Sequence, residues 1–232
     1  MTDKISISLY ELAYGCHLYG AMTGFDRALS KVRRALHPEP DLLKPEHRHA
    51  TLEFLRAWGC QHLALADTEL SSDALQSWTR AHAADLPKPG RSVEMLSDGE
   101  LAAVARAYAN LATKKASQHA QFGPVAAAKT LFLLQPYTCP PWDNAIREYL
   151  SCDVSAAGYQ RYLGEVGRFV RVLADEAGVS VAELPQVVER PESSAAEVVD
   201  EYLWVRCSQN WKPPSLEMLG RWAAWARRNH PD

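Results

Sequence analysis

The residues best placed to do chemistry lie in one stretch, FGPVAAAKTLFLLQPYTCPPWDNAIREYL, residues 122–150. Asp143 follows Pro140, Pro141 and Trp142 and stands where a new helix begins at Asn144. A carboxylate at a helix start has a plain use, because its oxygen accepts a free backbone N–H. It also has a chemical use. A rigidly held carboxylate beside an apolar wall stabilises developing positive charge, and it orients or deprotonates a water. General-base help of this kind is worth ~10²–10⁴ in rate, and preorganised charge adds to it. Lys129 is the one cation in the apolar run 125–134. Its stem can pack while its amine reaches the surface. The same amine could instead meet a phosphate, pair with Asp143 or act as a nucleophile.

The elements that must position these groups follow from the local pattern. Gly123-Pro124 opens a helix where the missing proline N–H is no loss. The run 125–134 is apolar on every side, which marks a buried helix. Gln135-Pro136 stops it, and a stiff turn through Pro140-Pro141 delivers Asp143. Upstream, Ser97-Asp98-Gly99-Glu100 is a capping box. Leu101, Val104, Ala105, Tyr108 and Leu111 behind it recur at helical spacing. Lys114 to His119 fray into the loop before Phe122.

Elsewhere the sequence predicts helices over 25–36, 45–58, 70–86 and 155–177, the last ended by Gly178. Ser194-Ala195-Ala196-Glu197 caps a helix to about residue 206, and Pro213-Pro214 precedes a final helix to 228. Residues 5–22 stay open between strand and helix, since Ile5, Ile7 and Leu9 alternate while 12–19 suits a helix. About ten helices joined by short proline-containing loops make an all-α fold.

Composition narrows the function classes. The chain has 232 residues, 47% hydrophobic and 23% charged, with a net charge of −3. That is an ordinary soluble composition, and it supplies no global basic field for nucleic acid. The five cysteines form no C-x-x-C pair, so neither a zinc site, an iron–sulfur cluster nor a disulfide framework is expected. His47 and His49 point different ways on a helix. No apolar run reaches membrane-spanning length, and no secretory h-region is seen, so the expected compartment is the cytoplasm.

The stretch 121–150 resembles the helix–hairpin–helix DNA glycosylases, the superfamily of 8-oxoguanine glycosylase and endonuclease III. Gln121-Phe122-Gly123-Pro124 stands at the hairpin loop, Val125 to Ala128 at the small-residue first turn, and Pro140 to Ile146 at the segment that carries the family's catalytic aspartate. The resemblance covers about thirty residues. Counting back from Asp143, the family's nucleophilic lysine position falls on Pro124, and only one hairpin glycine remains.

The resemblance implies two helical lobes with a cleft between them, 25–135 forming one and 1–24 with 136–232 the other. Asp143 would be catalytic, with Lys129 a remote candidate. Trp142, Trp211 and Phe122 would hold an everted base. Gln121, Gly123, Val125, Lys114, Lys115, Asn144 and Arg147 would meet DNA, and the acidic stretch 183–201 would face away from it. Most of the remaining tryptophans would belong to the core, since Trp58 and Trp78 lie on apolar helix faces.

The implied function is hydrolysis of the N-glycosidic bond of a damaged or modified base in double-stranded DNA. It would use water, since the lysine is displaced, and would serve base-excision repair or defence against modified phage DNA. A monomer without a cofactor is expected. Two alternatives stand beside it: a glycosylase-fold DNA-binding module that has lost catalysis, and a helical protein–protein adaptor.

Overall fold

A capping box, Ser8 with Glu11, opens the first helix, α1 (Leu9–Met22), and resolves the ambiguous N-terminal segment as helix. The computed structural model describes residues 5–65 and 67–229. Among these residues the architecture is all α-helical, with one isolated bridge, Lys115 to Gln121, in place of any strand. After α1 come α2 (Phe25–Ala35), α3 (Pro45–Ala57), α4 (Thr68–His82), α5 (Asp98–Thr113) and α6 (Gly123–Leu134). They are followed by α7 (Asn144–Tyr149), α8 (Ala156–Ala177), α9 (Leu184–Val187), α10 (Ala195–Leu203) and α11 (Leu216–Asn229).

Helix starts follow the capping rules closely. Asp67 caps α4 two residues ahead of the expected start, accepting from the Glu69 and Leu70 amides. Ser97, Ser155 and Ser194 cap α5, α8 and α10. Gly178 closes α8 at φ +67°.

The centre of the fold is α6, whose Ala126, Ala127, Ala128, Thr130, Leu131 and Phe132 are fully buried. It packs on α5 and α3, and α5 in turn packs on α8. On the other side α1 lies against α10, so closely that a Cβ on Gly15 would sit 3.0 Å from the Tyr202 Cα. The buried apolar residues form one continuous core that runs through all these helices.

All of α10 is buried, acids included, whereas Glu183, Glu189 and Glu192 ahead of it are exposed. Glu197 pairs with Arg33 at 3.0 Å, and Glu201 pairs with Arg190 at 2.8 Å. Arg33 comes from a distant part of the chain and Arg190 from the turn ahead of α10, and both pair with charges that could not otherwise leave water. The final helix is amphipathic, yet α11 has no buried residue. Trp222 and Trp225 are accordingly exposed. No described helix is long and apolar enough to cross a membrane.

Candidate functional site

Asp143 is mounted on a rigid base. The turn after α6 is fixed by Thr138 and Cys139 amides donating to the Gln135 carbonyl, and by the Thr138 hydroxyl donating to the Arg91 carbonyl at 2.6 Å. The Tyr162 hydroxyl donates to the Pro141 carbonyl at 2.7 Å. Trp142 is driven into the core, its ring 5.1 Å from both Tyr159 and Tyr162 and 5.6 Å from Tyr108. Asp143 then caps α7, its Oδ1 accepting from the Ile146 amide at 2.9 Å. Its Oδ2 accepts from the Ser208 hydroxyl at 2.5 Å. Both oxygens are therefore oriented.

The carboxyl group is an end-cap, and a cavity of about 200 Å³ opens beside it. One wall is aromatic: Tyr19 of α1, Phe25 of α2, Trp58 at the end of α3, and Trp204. Trp204 stands edge-on to Tyr19 at 5.5 Å and to Phe25 at 5.9 Å. The polar groups are Asp143, Lys129 of α6 and Asp200 of α10. At roughly 30 Å³ per water, the space is about seven waters, suited to one flat heterocycle. Apolar walls with a few convergent polar groups are the usual form of a ligand site.

The π-helical turn Trp204–Ser208 supplies one aromatic wall of the cavity and the hydroxyl that donates to Asp143. It extends α10 with a widened turn, which swings Trp204 to the cavity and brings Ser208 to Asp143. Such turns recur at functional sites.

Lys129 does not reach bulk water freely. Its amine donates to the Trp58 carbonyl and lies over the Trp58 ring, 5.6 Å from the centroid. Gly59, at φ +87°, ends α3 here, and a Cβ on it would lie 4.0 Å from the Lys129 Nζ. The Lys129 stem packs and its amine lines the same cavity as Asp143, so two of the residues read from the sequence converge.

Asp200 is nine-tenths buried, and its Oδ1 has no hydrogen-bond partner. Burial pushes its carboxyl group well above the usual carboxylate range, Asp143 and Glu201 push the same way, and Lys129 only partly opposes them. Behind it, burial lifts Glu201 to about 7 against the opposing pull of Arg190.

The other residues read from the sequence fall as follows. Trp142 borders the cavity from below, but it is 1% exposed and its indole N–H points to the Pro124 carbonyl at 3.4 Å, so it is a floor rather than an open stacking face. Phe122 is fully buried and Trp211 is exposed, and neither borders the cavity. Lys115 and Gln121 are exposed on the loop before α6, and the Lys114 amine donates to the Ser77 hydroxyl at 3.3 Å.

Gly123 holds φ +75°, a left-handed conformation that lets the chain enter α6. Val125 follows it, half-buried. Asn144 is exposed and accepts from Arg147 at 2.7 Å, while the Arg147 guanidinium lies 5.7 Å from the Trp142 ring centroid. None of these loop and α7 residues borders the cavity.

Sequence reasoning missed Tyr19, Phe25, Trp204, Ser208 and Asp200. Only Asp200 left a signal, an acid inside the apolar run AAEVVDEYLWV. Among the described residues no group of three or more His, Cys, Asp or Glu could hold a metal ion. No protein-family model, curated protein or solved structure matches the chain.

Proposed function

We propose that the protein is a DNA glycosylase that hydrolyses the N-glycosidic bond of a base turned out of duplex DNA. The observation that carries this reading is the convergence of an oriented carboxyl group, Asp143, with a base-sized aromatic cavity. The cavity draws Phe25, Trp58 and Lys129 from the segment 25–135, and Asp143, Asp200 and Trp204 from the rest of the chain. That distribution suits a cleft between two helical lobes.

In the reaction the bond between C1′ and the base nitrogen breaks, and its electron pair leaves with the base. Positive charge builds on the sugar, as in other glycoside cleavages. The Asp143 anion offsets that charge and accepts a proton from the water whose oxygen joins C1′. Ser208 and the Ile146 amide hold the anion in place, so little reorganisation is needed as charge develops. Lys115, exposed on the loop before α6, and Lys114, at the end of α5, would meet phosphate.

Lys129 supports a second reading. Its amine lines the cavity with Asp143, so it could attack C1′ itself, expelling the base and leaving a covalent imine after ring opening. The two readings part on one experiment. Duplexes carrying single modified bases are incubated with the protein, with and without borohydride. Abasic sites with no trapped adduct support the hydrolytic reading. An adduct lost in Lys129→Ala moves the nucleophile to Lys129. No base release from any duplex, with salt-sensitive binding retained, leaves a DNA-binding module.

A further inference from the structure

Asp200 is a buried acid with no cation hydrogen-bonded to it, and it borders the cavity. Arg190, the nearby guanidinium, is taken by Asp26 and Glu201. An unpaired buried charge is costly enough that such a group stays neutral, and the upward push on its carboxyl group agrees. A neutral carboxyl group offers one donor and one acceptor side by side. Its free Oδ1 is the kind of buried polar atom that folded proteins rarely leave unused.

We propose that Asp200 is the specificity-determining contact of the cavity, reading a neutral base through an edge that carries an N–H beside a carbonyl. With the carboxyl group turned so that the sealed Oδ1 faces the cavity, the acid O–H donates to the carbonyl and the other acid oxygen accepts the N–H, closing a two-bond ring. Lys129 supplies donors only, so it can meet an acceptor of the base but not the N–H, which is left to Asp200. Trp58, Phe25 and Trp204 provide the flat apolar contact that any base accepts, so they bind without choosing. This inference rests on the base-excision reading for its setting, but it concerns recognition and not bond cleavage.

Removing a hydrogen-bonded edge from a site built around it is a strong form of discrimination. The probes are free hypoxanthine, which has such an edge at N1 and C6, and 1-methylhypoxanthine, in which the N–H is blocked. Binding is read by quenching of tryptophan fluorescence, with Trp204→Phe to identify the cavity signal. The wild type should prefer hypoxanthine by about tenfold to a hundredfold, the range for one or two lost hydrogen bonds. Asp200→Asn keeps one donor and one acceptor and should keep the preference. Asp200→Leu should bring the ratio close to one while remaining folded, since it removes an unsatisfied buried acid.

The inference is overturned if Asp200→Leu keeps the wild-type ratio, or if the wild type binds both probes equally or neither. Excision is assayed separately on duplexes. Failure of excision with an intact binding ratio removes the glycosylase reading alone. Excision with a preference unmoved by Asp200→Leu removes the Asp200 assignment alone.

Discussion

Replacing Glu201 with Gln should flatten the dependence of stability on pH. Glu201 is 2% exposed at its side chain and paired with Arg190 at 2.8 Å, yet burial raises it from an ordinary 4.5 to about 7. The folded protein therefore holds this proton more tightly than the unfolded chain does. Stability from this source is present in full below about pH 4.5 and is lost as pH rises to about 7. At about 1.4 kcal/mol per tenfold change in proton affinity, the loss is roughly 3 kcal/mol. Gln keeps the neutral shape and an oxygen that can accept from Arg190.

Urea unfolding of both proteins at several values between pH 4.5 and 8 isolates the effect, because titrations elsewhere cancel in the difference. The stability of Glu201→Gln relative to wild type should grow by about 3 kcal/mol across that range. Parallel curves would show that Glu201 titrates normally and that Arg190 fully compensates its burial.

Two further outcomes follow from the geometry. A Cβ on Gly158 would lie 2.1 Å from the Asp153 carbonyl oxygen, with no room in the first turn of α8; Gly158→Ala should cost about 3 kcal/mol or more in urea unfolding. Ser208→Ala removes the donor to Asp143 Oδ2; it should change stability by only about 1 kcal/mol, but slow base release about tenfold in single-turnover assays without changing DNA affinity.

Local rules account for most of the helices and little of the cavity. The capping boxes at Ser97 and Ser194 and the spacing behind Ser155 mark α5, α10 and α8 in the sequence as they stand in the fold. The all-apolar run of α6 forecasts its burial. The N-terminal segment was harder, since α1 is apolar around most of its circumference and its first residues alternate like a strand. The Ser8–Glu11 capping box was the signal that decides it. At the site, Asp143, Lys129 and Trp142 were legible because they lie within fifteen residues of one another in a single patterned stretch.

The rest depends on contacts that no local pattern encodes. Phe25 and Trp58 meet across two helices, and the Trp58 indole N–H donates to the Phe25 carbonyl at 3.1 Å. Two acids of α10 look solvated in sequence and are buried with arginine partners: Glu197 meets Arg33 from 164 residues away, and Glu201 meets Arg190, which also holds Asp26 of α2. Trp204 and Ser208 are aimed by a π-helical turn that hydrophobic spacing does not announce.

The central claim is that the oriented carboxyl group of Asp143 drives base release. Asp143→Asn tests it most directly, because Asn still caps α7 and can still hydrogen-bond Ser208. The measurement is single-turnover formation of abasic sites by wild type and variant on duplexes carrying modified bases, beside their melting temperatures and DNA affinities. The account predicts unchanged melting and binding with release slowed by about 10²-fold or more. Release at the wild-type rate by Asp143→Asn would contradict it.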